Sequence, residues 1–156
     1  MLLCAGIDHV AVESPSKESV PDQLIRIFFA ELCSKGCSEE ARARWKENFW
    51  WELHNLNGDS TPEYFLYIDH ADWCGAGGSN CAYWIYQKSR GRYKLLLDAP
   101  RVASLKSTTK GYRDLYSDFR MGAARQRGKF EYYRTIYKFD GQKYREKSKR
   151  LIYKDG

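Results

Sequence analysis

"FEYYRTIYKFDGQKYREKSKRLI", residues 130–152, decides the fold, because it holds two strand-like runs on either side of a tight turn. Tyr, Phe and Ile dominate the first run, residues 130–139, and these side chains pack well on a pleated sheet. Asp140 and Gly141 then predict a hairpin turn of type I′, in which both central residues take positive φ. The second run, residues 143–152, returns along the first. The segment therefore predicts a long antiparallel hairpin.

Five shorter runs upstream have the same character and are separated by turn residues. Ser89 and Gly91 belong to one of these turns, and residues 119–128 are predicted to form a basic loop. The five runs are residues 64–68, 82–87, 93–98, 103–107 and 112–117. Together with the hairpin, they predict an antiparallel meander of five to seven strands over residues 64–153.

Two helices are predicted before the sheet. Apolar side chains recur at intervals of three and four from Asp22 to Leu32, the pattern of a helix that buries one face. Ser38, followed by two acids, predicts the N-cap of a second helix from Glu39 to about Leu53. The tryptophans of this region are expected in the core between helix and sheet; they are Trp45, Trp50 and Trp51.

The sequence thus predicts one α+β domain over residues 1–156, with two N-terminal helices packed on the antiparallel meander. A loosely structured segment, residues 1–22, precedes the helical part, residues 23–53. A chain of 156 residues can bury roughly 70% of the surface that its unfolded form exposes, so a substantial core is expected. No stretch of the sequence approaches the roughly 18 apolar residues of a membrane-spanning helix, so we expect no transmembrane segment.

Positive charge is concentrated at the C-terminal end. The net charge is +6, but residues 120–156 carry 12 Lys/Arg and 4 Asp/Glu, a net charge of +8. In the last predicted strand the cations recur with a period of two, so we expect them on one face; they are Lys143, Arg145, Lys147 and Lys149. With nearby tyrosines they suit an acidic protein partner or a nucleic acid whose bases stack on the rings. Lysines that protect an edge strand from unwanted pairing are the alternative.

An oxygen-rich loop precedes the first predicted strand. In "NLNGDSTPE", residues 55–63, oxygen-bearing groups occupy every second position, and such groups can converge on one Ca²⁺ ion. The predicted calcium ligands are Asn55, Asn57, Asp59, the Thr61 carbonyl and Glu63. The loop is not an EF-hand, because Ser60 and Leu66 stand where that motif needs Gly and Glu. The alternative is a structural turn in which Asn and Asp side chains bond to neighbouring backbone groups.

Four of the five cysteines fall into two close pairs. Cys74 and Cys81 flank a glycine-rich loop that lets their Cα atoms approach to the roughly 5.5 Å of a disulfide. Cys33 and Cys37 lie one helical turn apart and can form a second bridge. Two disulfides suit an oxidising compartment, so we predict a periplasmic or secreted protein. One alternative is free cysteines in a cytoplasmic protein; the other is a zinc site, whose ligands would be His70, Asp72, Cys74 and Cys81.

The oxygen-rich loop resembles the D-x-N-G-D-G-x-x-D/E loop of FG-GAP/VCBS-type repeats, which binds calcium and leads into a strand in that family. The loop, "CGAGGSNC" at residues 74–81 and "KGYRD" at residues 110–114 together resemble small uncharacterised secreted bacterial proteins, which pair a D-x-N-G-D loop with a C-G-x-G-x-x-C segment. The resemblance covers roughly residues 50–118. It implies an exported location and this architecture, and it implies no activity.

The three histidines belong to no recognisable catalytic motif, so we predict a protein that is not an enzyme. An exported, disulfide-supported scaffold with a charged face predicts a binding protein that recognises and blocks another protein, as an inhibitor or an immunity protein against a secreted toxin does. The alternatives are a nucleic-acid-binding protein that uses the C-terminal hairpin and a small hydrolase. Trp, Tyr and Arg dominate binding energy at interfaces. On that ground the candidate contact residues are Trp73, Trp84, Tyr86, Arg125 and Arg127.

Overall fold

The computed structural model describes residues 20–126 and 128–155, and it confirms an α+β fold with antiparallel strands. The helices are α1 (Asp22–Leu32), α2 (Glu39–Glu47) and the single turn α3 (Gly75–Gly78). The strands are β1 (Phe49–His54), β2 (Glu63–Ile68), β3 (Asn80–Ser89), β4 (Arg92–Pro100), β5 (Val102–Thr109), β6 (Tyr112–Gln126), β7 (Lys129–Phe139) and β8 (Tyr144–Asp155). Most of the predicted N-terminal segment, residues 1–22, lies outside the described residues. Within them, no helix has the length and apolarity needed to cross a membrane.

The eight strands of the described chain form two four-stranded sheets rather than one meander. Sheet 1 has the order β1-β2-β3-β4, and sheet 2 has the order β5-β6-β7-β8. The predicted single meander of five to seven strands is therefore wrong in strand number and in layout. The chain leaves sheet 1 at Pro100 and Arg101, where Arg101 takes a φ of +44° and its N–H donates to the Cys81 carbonyl at 2.9 Å. This left-handed residue turns the chain, so that β5 begins a new sheet.

The second helix is shorter than predicted. α2 ends at Glu47, and the next segment pairs with β2 from Phe49 opposite Ile68 onwards. Aromatic side chains favour strands, and here this preference and the pairing with β2 outweigh the helical spacing. The prediction of a helix up to Leu53 is therefore wrong.

The three tryptophans predicted as core have different environments. Trp45 of α2 is 9% exposed and packs in the core. Trp50 and Trp51 belong instead to β1, the edge strand of sheet 1, and are 54% and 37% exposed. An edge strand has a neighbour on one side only, so its large side chains stay open to solvent.

The predicted basic loop, residues 119–128, is largely strand, because β6 continues to Gln126. The turns also differ from the prediction. Positive φ at both central residues, expected at Asp140 and Gly141, occurs instead at Arg90–Gly91 and Lys110–Gly111. Between β7 and β8 the loop has four residues, and the Asp140 carboxylate accepts hydrogen bonds from two backbone N–H groups within it. A side-chain cap thus replaces the two-residue turn.

Sheet 1 is covered on both faces. The helices pack on one face, and the buried members of this cluster are Val20, Leu24, Phe28, Phe29, Trp45, Leu66, Ile68, Trp84 and Tyr86. Sheet 2 packs on the other face, and the buried members there are Leu56, Phe65, Ile85, Leu96, Leu97, Ala99, Val102, Leu115, Phe139 and Tyr144. Alternation along each strand supplies both clusters, as in β2, where Phe65 and Leu66 point to opposite layers.

Only one half of sheet 2 takes part in that core. Leu115, Phe139 and Tyr144 are buried, but along β8 every residue after Tyr144 is exposed or half-buried. We call residues 116–126, 129–136 and 148–155 the outer half of sheet 2. The hairpins of sheet 2 therefore extend well beyond the part that sheet 1 covers.

Candidate functional site

One face of the outer half of sheet 2 carries exposed apolar side chains. The pairing of β6, β7 and β8 places Phe119 opposite Tyr133 and Tyr133 opposite Leu151. Directly paired residues share a face of the sheet, so the three side chains form one row, which we call the apolar row. Phe119 and Leu151 are each 43% exposed, and Tyr153, two residues further along β8, is 42% exposed. Lys149 holds its Nζ atom 4.9 Å from the centre of the Tyr133 ring.

The opposite face carries a buried ion network. The Asp118 side chain is only 5% exposed and accepts two hydrogen bonds from the Arg134 guanidinium, at 2.7 and 2.8 Å. Lys154 donates a third. Burial disfavours the charged carboxylate, but the hydrogen bonds from Arg134 and Lys154 outweigh burial and hold the pKa of Asp118 below its ordinary value. The carboxylate is therefore ionised, and it fixes two cations on neighbouring strands.

These two cations lie over tyrosine rings. The Arg134 guanidinium is 4.5 Å from the centre of the Tyr116 ring, and the Lys154 Nζ atom is 5.0 Å from that of Tyr132. Beside them, where the chain passes from sheet 1 to sheet 2, a cleft of about 440 Å³ opens. Its lining residues are Tyr83, Arg101, Val102, Ala103, Tyr116, Asp118, Tyr132 and Lys154. The outer half of sheet 2 thus presents an apolar face and a face of tyrosines and cations.

The segment between Cys74 and Cys81 attaches this outer half to sheet 1. The two cysteines form a disulfide, as predicted, and Cys33 and Cys37 form the other. Just before Cys81, the Asn80 side-chain amide accepts from the Arg120 N–H at 2.7 Å and donates to the Arg120 carbonyl at 2.9 Å. Asn80 therefore bonds to β6 as a backbone residue of a neighbouring strand would. The zinc alternative needs free thiolates, and these sulfurs are bonded to each other.

The oxygen-rich loop is held by its own hydrogen bonds. The Asn55 side-chain oxygen accepts from the Gly58 N–H at 2.6 Å, and the Asn57 side-chain oxygen accepts from the Asp59 N–H at 2.9 Å. Asp59 in turn accepts from the Thr61 N–H at 2.7 Å. These contacts correspond to the structural turn that is the alternative to a metal loop.

Glu63, the last predicted calcium ligand, is fully buried. Its carboxylate accepts from the Leu56 N–H at 2.8 Å and from Gln87 at 3.4 Å. Burial of this carboxylate raises the pKa of Glu63, only partly offset by the bond from Leu56. The side-chain oxygens of the loop accept hydrogen bonds from backbone N–H groups, as a structural turn requires. Calcium binding stays a prediction.

Three of the five predicted contact residues lie in or against the core. Trp84 and Tyr86 are 7% and 1% exposed, and the Tyr86 hydroxyl donates to Glu31 at 2.7 Å. Trp73 packs its ring against Trp84 at 5.3 Å and is also part of the helix-facing cluster. We therefore withdraw Trp84 and Tyr86 as contact residues, because a partner cannot reach them. Arg125 lies in β6, and Arg127 lies outside the described residues.

The four cations predicted on one face of the last strand are divided between two faces. Lys143 precedes β8, and the β7–β8 pairing shifts by one residue so that Lys147 has no partner on β7. This β-bulge reverses the alternation, so Arg145 and Lys149 point to opposite faces. All four are exposed, as an interaction surface requires.

The residues that sequence reasoning missed are Phe119, Leu151, Asp118 and Arg134. For Asp118 and Phe119 the signal is the alternation of β6 beyond Ser117, which the basic composition of residues 119–128 conceals. The pairing register that joins Phe119 to Leu151 depends on the bulge in β8, and single-strand patterns do not reveal it.

His54 and His70, the two histidines in the described residues, occupy half-buried positions beside carboxylates. His54 lies 2.8 Å from Glu52, and His70 lies 3.3 Å from Asp72. Each pair joins near neighbours in sequence, which is common on protein surfaces. The hydrolase alternative gains no support from this geometry.

Comparisons of the chain with family models, with curated proteins and with solved structures found no match. The functional argument therefore rests on the two faces of sheet 2. One face exposes apolar side chains, and the other holds cations over tyrosine rings.

Proposed function

We propose that the protein is an exported, non-enzymatic binding protein that recognises and blocks another protein through the apolar row of sheet 2. The observation that carries this proposal is the exposure of Phe119, Leu151 and Tyr153 on one sheet face. Contiguous apolar side chains on a soluble domain mark protein contact sites more often than isolated ones do. An inhibitor or an immunity protein would use such a rigid face.

The partner is expected to be acidic around its contact site. Lys149 is exposed beside the apolar row, with its Nζ atom 4.9 Å from the Tyr133 ring, in a region that carries a net charge of +8. Apolar contacts supply most of the affinity at such an interface, while the surrounding cations steer a negatively charged partner and set its orientation. The lysines of β8 also suit the protection of this edge strand, so the row carries more of the argument than they do.

An exported location is supported by the two disulfides. Disulfides form and persist in oxidising compartments, and one of them, Cys74–Cys81, supports the attachment of the outer half of sheet 2. The outer half buries few apolar side chains of its own, so the disulfide-bound segment helps to hold the proposed contact surface in place.

Nucleic-acid binding is the second candidate, favoured by the tyrosines and cations of the opposite face. Tyr116 and Tyr132 are held beside Arg134 and Lys154, and bases can stack on such rings. Binding of that kind falls steeply as salt releases counterions, whereas apolar contacts persist. Salt dependence therefore separates the two candidates.

The test is a pull-down from nuclease-treated extracellular and envelope extract, washed first at low and then at high salt. The bait proteins are the wild type, the double variant Phe119→Ser/Leu151→Ser and the control Trp50→Ser, which removes a large exposed side chain from sheet 1. We expect one protein to be retained in near-stoichiometric amount through high salt by the wild type and by Trp50→Ser. The double variant should lose it.

A captured protein that has an activity should also lose that activity when the wild type is added. Equal retention by all three baits would contradict the proposal. So would retention of salt-labile nucleic acid alone from extract that was not treated with nuclease.

A further inference from the structure

We propose that the cleft at the corner where the chain passes from sheet 1 to sheet 2 binds a ligand that carries an oxyanion on a flat ring. The cleft lies on the face of sheet 2 opposite the apolar row, so it does not depend on the proposed protein contact. Its volume of about 440 Å³ is in the range typical of small-molecule sites, and its walls join aromatic rings to a few charged groups. The inference rests on four observations about these walls.

Arg101 supplies an unengaged cation. Its side chain is exposed at the corner between β4 and β5, and its guanidinium forms no hydrogen bond or ion pair with the described residues. The residue also holds a left-handed φ of +44°, which is unfavourable for a side chain other than glycine. Strained residues of this kind occur often at binding sites. Guanidinium groups bind planar oxyanions through two parallel hydrogen bonds.

The remaining charges leave the cleft positive. Asp118 is the one carboxylate in the described lining, and Arg134 and Lys154 already bind it. The lining itself therefore holds two cations, Arg101 and Lys154, and one anion, while Arg134 binds Asp118 from outside the lining. An anionic ligand therefore meets a favourable field, and a cationic one does not.

The cleft is held in shape before any ligand arrives. The buried Asp118 carboxylate fixes Arg134 over Tyr116 and Lys154 over Tyr132, at 4.5 and 5.0 Å from the ring centres. Side chains fixed in this way lose little freedom on binding, which favours affinity. The ion network therefore holds two cations and two rings in place beside the cleft.

Tyrosine rings supply the surface for a flat ligand. Tyr83 lines the cleft from sheet 1 and stacks on Tyr67, with 4.7 Å between the ring centres. Burial, with smaller effects of Glu52 and Tyr67, raises the pKa of Tyr83 to about 12, so its hydroxyl keeps its proton at neutral pH and can donate to an oxyanion. Tyr116 and Tyr132 form the opposite wall. Rings stacked or edge-on against a planar ligand add to the binding that area alone provides.

The experiment is a ¹H–¹⁵N NMR titration of the whole protein with phenyl phosphate. Phenol and inorganic phosphate are the two halves of this probe, and phenyl sulfate and benzoate compare the oxyanions. We expect saturable shifts at the amides of Arg101, Ala103 and Tyr116, with an affinity for phenyl phosphate at least tenfold above that for either half. Arg101→Gln should weaken binding at least fivefold without changing the melting temperature, whereas Lys106→Gln, an exposed change elsewhere on β5, should leave it unchanged.

Two results would overturn the proposal. One is the lack of a saturable shift with any of the ring-bearing anions. The other is equal affinity in the wild type and in Arg101→Gln. If Tyr132→Leu, which removes a ring while keeping the charges, binds phenyl phosphate as well as the wild type, the ring part of the proposal is wrong. Loss of the protein partner in the pull-down leaves these titrations unaffected, so the two proposals fail separately.

Discussion

The inner and outer halves of sheet 2 are built from the same strands but hold together differently. In the inner half Leu115 is fully buried, and Phe139 and Tyr144 are 7% and 4% exposed. In the outer half Phe119 and Leu151, on the same strands, are each 43% exposed. The inner half is stabilised by apolar burial, and the outer half by cross-strand pairs, an ion network and a disulfide-bound segment. The proposed function assigns the exposed outer half to partner contact, and the inner half supplies the core.

Glu63 and Asp118, two of the three buried carboxylates in the described residues, differ in a related way; the third, Asp114, accepts hydrogen bonds from Ser107 and Thr109. Glu63 lies beside the inter-sheet core, and burial raises its pKa. Asp118 lies in the outer half, where bonds from Arg134 and Lys154 overcome burial and lower its pKa. Burial thus favours the neutral form of Glu63, whereas the outer half of sheet 2 is organised around the charge of Asp118. The predictions that follow test this contrast, from the largest expected effect to the smallest.

Truncation of an apolar side chain should lower the free energy of unfolding strongly in the core and hardly at all on the outer half of sheet 2. Ile85 is fully buried, so Ile85→Ala should lower the free energy of unfolding by about 2–5 kcal/mol. Leu151→Ala should change it by no more than about 0.5 kcal/mol, because its side chain is already exposed. Urea denaturation measures both. A loss of several kcal/mol in Leu151→Ala would show that the row is structural.

Removal of the Cys74–Cys81 bridge should loosen the outer half. Closing so short a loop contributes about 2–3 kcal/mol in the chain-entropy model, so the double variant Cys74→Ser/Cys81→Ser should lose about that much. The Asn80 contact should weaken with it, and the Arg120 amide should exchange its hydrogen faster. Cys33→Ser/Cys37→Ser is the matched control and should leave the exchange of Arg120 unchanged. Equal exchange in both variants would contradict the role of the segment.

Replacement of Asp118 should cost stability only when the carboxylate is charged. Asp118→Asn should lower the free energy of unfolding by about 1–3 kcal/mol at neutral pH, because two cations lose a charged partner. A carboxylate whose pKa is lowered on folding stabilises the protein above its unfolded-state pKa, and this contribution disappears as the pH falls through the lower, folded-state pKa. The difference between variant and wild type should therefore shrink in acid. A difference that stays constant would exclude the charge as its cause.

The smallest effect is expected from calcium removal. The Asn55, Asn57 and Asp59 oxygens already accept hydrogen bonds from the loop, so EGTA should leave the melting temperature of the purified protein unchanged. Thermal melting with EGTA and with added calcium checks this. A melting temperature that falls with EGTA and recovers with calcium would instead establish the predicted metal loop.

Much of the secondary structure follows from local pattern. The periodicity of α1, the cap at Ser38 and the aromatic runs of β2 to β4 and β7 are properties of neighbouring residues, and these elements occur where predicted. β1 was missed because the residues from Phe49 to His54 have an ambiguous pattern. These residues form a strand because they pair with β2, which follows only after an intervening loop in the sequence.

The candidate surfaces are less accessible to sequence reasoning. Two chain features determine them: the left-handed corner at Arg101, which creates the second sheet, and the bulge at Lys147, which sets the register of β8. Arginine rarely adopts a positive φ, and a bulge has no fixed residue type, so the sequence carries little signal for either. Trp84 and Tyr86 were selected by residue type alone, and residue type does not distinguish an exposed anchor from a core side chain.

The most direct test of the contrast between the two halves is hydroxyl-radical footprinting of the protein, free and bound to the partner that the pull-down captures. Phe119, Leu151 and Tyr153 react readily with the radical when exposed, and so does Trp50 at the far edge of sheet 1. We predict that binding lowers the oxidation of the first three several-fold and leaves that of Trp50 as in the free protein. Protection of Trp50 with unchanged oxidation of Phe119, Leu151 and Tyr153 would contradict the account.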